Sequence, residues 1–84
     1  MITKEIIINN QDGFEPKSAT EFIQKASGYK SHIWVEREER KANAKSLLGL
    51  LSLGIGCGTK VMITAEGEDE ETAVNDLTEY MQKL

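Results

Sequence analysis

The 84-residue chain is 39% hydrophobic and 29% charged, an ordinary soluble globular composition that leaves room for a single domain spanning 1–84 and excludes two linked ones. A net charge of −4 argues against direct nucleic-acid binding, which needs a basic face; one His and one Cys exclude an internal disulfide and a zinc cluster of the usual spacing. A chain this short hides only about 60% of the surface its unfolded form exposes, so a deep substrate pocket has little space, and neither an enzyme nor a cofactor is expected.

The first segment, Ile2 to Asn9, alternates with Ile6 and Ile8 on one side and Ile7 on the other, the period of a strand. Asn9-Asn10-Gln11-Asp12-Gly13 stops it with residues that tolerate turns. Pro16 suits the first helical position and Glu15 the positive helix end. Ala19, Phe22, Ile23 and Ala26 then form a helical stripe, with Gly28 expected as a left-handed cap. His32 to Glu36 alternates again, Ile33 and Val35 against Trp34, and a charged turn at Glu38-Glu39-Arg40 leads to a short strand ending near Asn43, so the two form a hairpin.

Lys45-Ser46-Leu47-Leu48-Gly49-Leu50-Leu51-Ser52-Leu53 reads as a short helix with Ser46 as its N-cap and Leu50 and Leu53 in the core. This apolar run, Leu47 to Ile55, is interrupted by Gly49, Ser52 and Gly54 and is too short to span a bilayer. Gly54, Gly56 and Gly58 form a loop before the last strand, Lys60 to Glu66, which sets Val61, Ile63 and Ala65 against Met62 and Thr64. The acidic run Glu68-Asp69-Glu70-Glu71 opens a final amphipathic helix through Ala73, Val74, Leu77, Tyr80, Met81 and Leu84. The order βαββαβα, with a hairpin at its centre, predicts an α+β open-faced β-sandwich: a four-stranded antiparallel sheet with three helices on one face. Met1 to Asn10, with Lys4 and Glu5 inside it, does not resemble a signal peptide, and the lone Cys fits a reducing cytosol, so a cytoplasmic protein away from membranes is expected, with other proteins as partners.

Three segments carry a resemblance: Gly13-Phe14-Glu15-Pro16-Lys17-Ser18-Ala19-Thr20, the run Asn43 to Gly54, and Ala65-Glu66-Gly67-Glu68-Asp69-Glu70. Together they resemble HPr, the histidine-containing phosphocarrier of the bacterial sugar phosphotransferase system (PTS), over essentially the whole chain. The resemblance implies that the first and last strands pair centrally, in sheet order 1-4-2-3. In a phosphocarrier of this family the position of Glu15 is a histidine that takes phosphate from the first enzyme of the system and hands it to a sugar permease component. Here it is a glutamate; Lys17 stands for the usual arginine, Ser18 for the usual proline, and Pro16 for a small residue. Relay needs a nucleophile near neutral pH whose phosphorylated form passes the group on, as an imidazole at a helix start does. No cluster of acids surrounds Glu15 for metal-assisted acyl phosphate chemistry, Asp12 being its one close companion, so no catalytic residue and no metal are expected. The sole histidine, His32, reads as a surface strand residue rather than a replacement donor.

In Gram-positive members the serine matching Ser46 is phosphorylated by HPr kinase/phosphorylase, after which the protein serves as corepressor for a LacI-type transcription regulator. The resemblance therefore implies phosphorylation at Ser46 and partner contact through Glu15, Lys17, Lys45, Leu47, Leu48 and Leu51. A phosphate there meets unpaired backbone N–H groups at a helix start. A member lacking the relay histidine but keeping this serine is similar to the catabolite-repression branch of the family. Two other readings stay open: a phosphorylation-independent interaction module in which Glu15 is a fixed phosphate mimic toward PTS components, and an ordinary phosphocarrier. From the pattern, Ile7, Trp34 and Met62 point away from the core and, with their strands consecutive, line up either as a homodimer contact or as a cross-strand cluster covered by Trp34. Cys57 reads as an inert free thiol.

Overall fold

A computed structural model describes residues 1–84. The elements run β1 (Ile2–Ile7), α1 (Pro16–Ser27), β2 (His32–Arg37), β3 (Arg40–Asn43), α2 (Leu47–Ser52), β4 (Lys60–Glu66) and α3 (Glu70–Gln82). The strands form one sheet in the order β1-β4-β2-β3, every neighbouring pair antiparallel. β4 and β2 hold the centre, so the β1–β4 pair sits at one side of the sheet with β1 as an edge, not centrally.

Alternation explains the sheet's two faces. Ile6, Ile33, Val35, Val61, Ile63 and Ala65 are buried on the side where α1 supplies Ala19, Phe22 and Ala26 and α3 supplies Val74, Leu77 and Met81. Each large side chain enclosed there contributes about 1.5–3 kcal/mol of transfer free energy. Phe22 is fully enclosed and meets Phe14 edge-on, with ring centroids 5.6 Å apart. β1 ends at Ile7, two residues short of the expected Asn9, although Ile8 remains buried and tied to the next loop, donating to the Thr59 carbonyl and accepting from Gly58. The cap on α1 also differs: Gly28 is right-handed (φ −77°), and the chain turns out of the helix through Gly28 and Tyr29 N–H bonds to the Lys25 and Ala26 carbonyls. The one residue other than glycine with a left-handed φ lies in the hairpin turn, at Glu38 (φ 56°).

On the open face, register breaks the expected line of Ile7, Trp34 and Met62. Ile7 sits opposite Lys60, Met62 lies between Glu5 and Glu36, and Trp34 lies between Thr64 and Asn43. The three apolar residues thus fall on a diagonal of the open face, flanked by Lys60, Glu5 and Glu36. Trp34 is half-buried beneath the Lys41 ammonium, 4.3 Å from the ring centroid, and neighbouring Thr64 is buried with its hydroxyl 2.8 Å from that of Thr3. That is the cross-strand cluster.

Candidate functional site

Glu15 is placed by the loop before α1. Asn10 ties that loop by donating its side-chain N–H to the Gly13 carbonyl (2.6 Å), while the Gly13 N–H returns to the Asn10 carbonyl. Gly13 adopts φ +68°, and a Cβ there meets the Gly56 Cα at 2.7 Å and the Ile55 carbonyl oxygen at 2.8 Å. Phe14 then donates to that same carbonyl (3.0 Å) and buries its ring. The result is a rigid approach: glycine permits the left-handed turn and the contact, and the chain emerges at Glu15 in extended conformation (φ −80°, ψ 164°). Glu15 occupies the N-cap position, yet its carboxylate makes no capping bond and stands exposed, as do Pro16 and Lys17. Pro16 removes one of the N–H groups at this end, and the remaining charge preference comes from the helix dipole.

The second part of the surface is α2, whose loop packs on the first. Six residues are too few to form an isolated helix, so its ends must be held from outside. Ser46 Oγ accepts from the Gly49 N–H at 3.1 Å, the expected N-cap. At the other end Arg37 donates to the Leu53 carbonyl (3.2 Å) and Arg40 to the Ser52 carbonyl (3.3 Å), so two arginines of the β2–β3 hairpin satisfy carbonyls that the helix leaves unpaired. Leu50 and Leu53 point into the core, while Leu47, Leu48 and Leu51 are 41%, 81% and 37% exposed. An outward leucine face beside a half-buried serine is therefore built from one short, doubly capped helix.

Gly13 and Phe14, just before Glu15, contact the loop that follows α2, whereas Ser46 caps the opposite end of that helix. Lys45, expected to join them, sends its ammonium to the Tyr29 carbonyl (3.1 Å) and the Ser31 carbonyl (3.4 Å), where it holds the loop before β2. His32 is exposed at the start of β2, opposite Glu66, and does not belong to the Glu15 loop. Cys57 is exposed in the glycine-rich loop, with its Sγ 3.8 Å from the Asn9 carbonyl. No three His, Cys, Asp or Glu side chains are grouped to hold a metal ion, and no helix is long and apolar enough to cross a membrane.

Asp69 has a role that its place in an acidic run conceals. It accepts from Ser31 Oγ (2.6 Å) and from the backbone N–H groups of Lys30 (2.8 Å) and Ser31 (3.0 Å), joining the start of α3 to the start of β2. The Ser31 hydroxyl, followed by the Lys30 N–H, holds its carboxyl below the usual aspartate range. Beside it Tyr29 donates to Asp76 (2.6 Å), and that bond first, then burial, pushes the phenol up to about 12. Tyr80 is likewise raised to about 12, by burial first and then by its bond to Glu21.

The fold is an open-faced sandwich that presents an exposed helix start and an outward leucine face. The family model described as "PTS HPr component phosphorylation site" matches residues 2–83. The HPr-like protein Crh of Bacillus subtilis is 35% identical over 83 residues, covering 99% of this chain and 98% of that protein. Among solved structures, HPr of Thermoanaerobacter tengcongensis superposes with a TM-score of 0.94 at 41% identity, covering 99% of this chain and 93% of that one. A crystal structure of Bacillus subtilis Crh, described as a domain-swapped dimer, gives 0.80 at 35% identity, covering 99% and 95%. The chain belongs to the HPr family of the PTS.

Proposed function

We propose that residues 1–84 form one HPr-like regulatory domain of cytoplasmic carbon metabolism that does not relay phosphate. The observation that carries this reading is the exposed glutamate at the start of α1, where a carrier of the family has its histidine, with the one imidazole of the chain elsewhere, on β2. Output then rests on Ser46: phosphorylation by an HPr kinase/phosphorylase adds about −1.5 to −2 charge beside the Gly49 N–H, and a LacI-type regulator docks on Leu47, Leu48 and Leu51 with Lys17 as cationic contact. Lys45 contributes to that docking only by releasing the Tyr29 and Ser31 carbonyls. Two labelling reactions test the reading. Phosphoenolpyruvate with the first PTS enzyme is expected to leave the protein unlabelled, and ATP with the kinase to label it at Ser46; label in the first reaction, or none in the second, defeats the respective half.

A second reading is favoured by one feature: the Glu15 carboxylate is free of any capping bond and directed outward, so its charge is available to a partner. In that case the unmodified protein binds a PTS component as a fixed mimic of the phosphorylated carrier. Binding by unphosphorylated protein that is lost in Glu15→Gln supports this alternative; binding unaffected by the substitution removes it.

A further inference from the structure

Gly49 stands in the middle of α2, flanked by Leu47 and Leu48 on one side and by Leu50 and Leu51 on the other. Glycine inside a helix is less stable than alanine, and a helix of six residues has little stability to give up, so the choice needs a local cause. Conformation is not that cause: positive φ occurs at Gly13, Gly54, Gly58 and Gly67, and Gly49 is not among them. Packing on the sheet is not the cause either, because a Cβ at position 49 lies 3.4 Å from the Ala42 Cβ of β3, an ordinary van der Waals contact. Its nearest neighbour is Ser46 Oγ, at 3.2 Å, with Ser46 Cβ at 3.4 Å. What the missing side chain leaves open is therefore the space beside the Ser46 hydroxyl.

Bonding at that hydroxyl points the same way. Ser46 Oγ accepts the Gly49 N–H at 3.1 Å, and its own proton has no acceptor within the chain. Ser31 and Ser52 differ, since each donates its proton internally, to Asp69 (2.6 Å) and to the Gly49 carbonyl (2.7 Å). A hydroxyl oxygen has two lone pairs, so Ser46 keeps one for an external electrophile and its proton for an external base. A phosphoryl group joined to that oxygen brings three more oxygens into the same neighbourhood. They compete for space with any side chain at position 49.

We propose that Gly49 is the positioning residue for modification of Ser46: its absent Cβ gives a phosphoryl group room on Oγ. The inference rests on the Ser46 reading above. In the transfer, Oγ bonds to the γ-phosphorus of ATP, the bond from that phosphorus to the bridging oxygen breaks to release ADP, and the serine proton passes to a base of the kinase. Gly49→Ala is expected to melt within about 4 °C of wild type, the gain in helix propensity offsetting the crowding. Labelling of Ser46 by ATP and the kinase is nevertheless expected to slow about tenfold, in kcat rather than KM, since displacing a reacting atom by about 1 Å costs about 100-fold. Phosphoserine installed at position 46 during synthesis reads the same space without any kinase. It is expected to lower the melting temperature by about 4–8 °C more in Gly49→Ala than in the wild-type background. Equal labelling rates in Gly49→Ala and wild type, or an equal effect of phosphoserine in both backgrounds, overturns the proposal. A wild-type protein that the kinase leaves unlabelled removes the Ser46 reading alone, and the phosphoserine pair then decides on Gly49.

Discussion

Replacing Gly13 by alanine probes the loop that delivers Glu15 and separates two physical costs. The first is conformational: φ +68° is left-handed, and a Cβ there costs roughly 1–2 kcal/mol. The second is steric, because the new methyl group lies 2.7 Å from the Gly56 Cα and 2.8 Å from the Ile55 carbonyl oxygen, both backbone atoms that no rotamer change can move aside. Forced repacking of this sort adds about 1–3 kcal/mol. The sum, about 2–5 kcal/mol, corresponds to a melting temperature lower by roughly 8–40 °C in a domain of this size. Two neighbouring glycines are internal controls. Gly58 has φ +84° with nothing near its Cβ position, so Gly58→Ala incurs the conformational cost alone, about 1–2 kcal/mol. Gly56 has neither a left-handed φ nor a close neighbour, and Gly56→Ala is expected to be neutral or to stabilise by about 0.4–1 kcal/mol through the unfolded chain. Thermal and urea unfolding of the three variants measures the series, and amide shifts at Phe14 and Glu15 show whether the loop has moved. If Gly13→Ala melts no lower than Gly58→Ala, the backbone contact does not hold the loop, and the reasoning fails.

Both tyrosines of the chain titrate near 12 when folded, against 10 for a free phenol, so the stabilisation from their protonated forms is complete below pH 10 and is lost as pH climbs toward 12. Native protein is thus expected to show little tyrosinate absorbance at a pH where the urea-unfolded chain is half ionised; coincident native and unfolded curves contradict it. Asp69 has the opposite sign: its folded carboxyl is depressed, so its contribution is present above the ordinary aspartate range and disappears as pH falls through the lower folded value. Asp69→Asn should accordingly lower the urea midpoint at neutral pH, with the gap to wild type closing in acid; a gap independent of pH means that the carboxylate charge is irrelevant. Leu48, 81% exposed, is expected to tolerate alanine within about 0.5 kcal/mol of stability while regulator binding falls at least about fivefold, as for an interface anchor. A large loss of stability in Leu48→Ala would show that the residue packs internally.

Elements with a clear period were legible from residue order alone. The alternation at Lys60 to Glu66 and the Ala19, Phe22, Ala26 stripe each mark a buried face that local chemistry and tertiary packing agree upon. Ser46 was legible for the same reason, since an N-cap acts within three residues. What stayed hidden acts at long range. Nothing near Ser52 or Leu53 announces that Arg37 and Arg40 will cap α2, and nothing in Glu68-Asp69-Glu70-Glu71 distinguishes the one acid that grips Lys30 and Ser31. Lys45 looked free because the carbonyls it binds belong to another loop. For Ile7, Trp34 and Met62 strand order says which strands are neighbours, but only register shows that the three lie on a diagonal, with Met62 directly opposite Glu5 and Glu36.

The strand order has a consequence for how the molecule comes into being. β1 is made first, yet its hydrogen-bonding partner is β4, so Ile2–Ile7 has no sheet to join until residues 60–66 exist. The hairpin of β2 and β3 closes locally, but it too is completed on its other side by β4. During synthesis the N-terminal strand must therefore wait unpaired while most of the chain is added, and closing so long a loop defers the reward of pairing. The last strand acts as the keystone of assembly, so substitutions in Lys60–Glu66 are the ones expected to slow folding most.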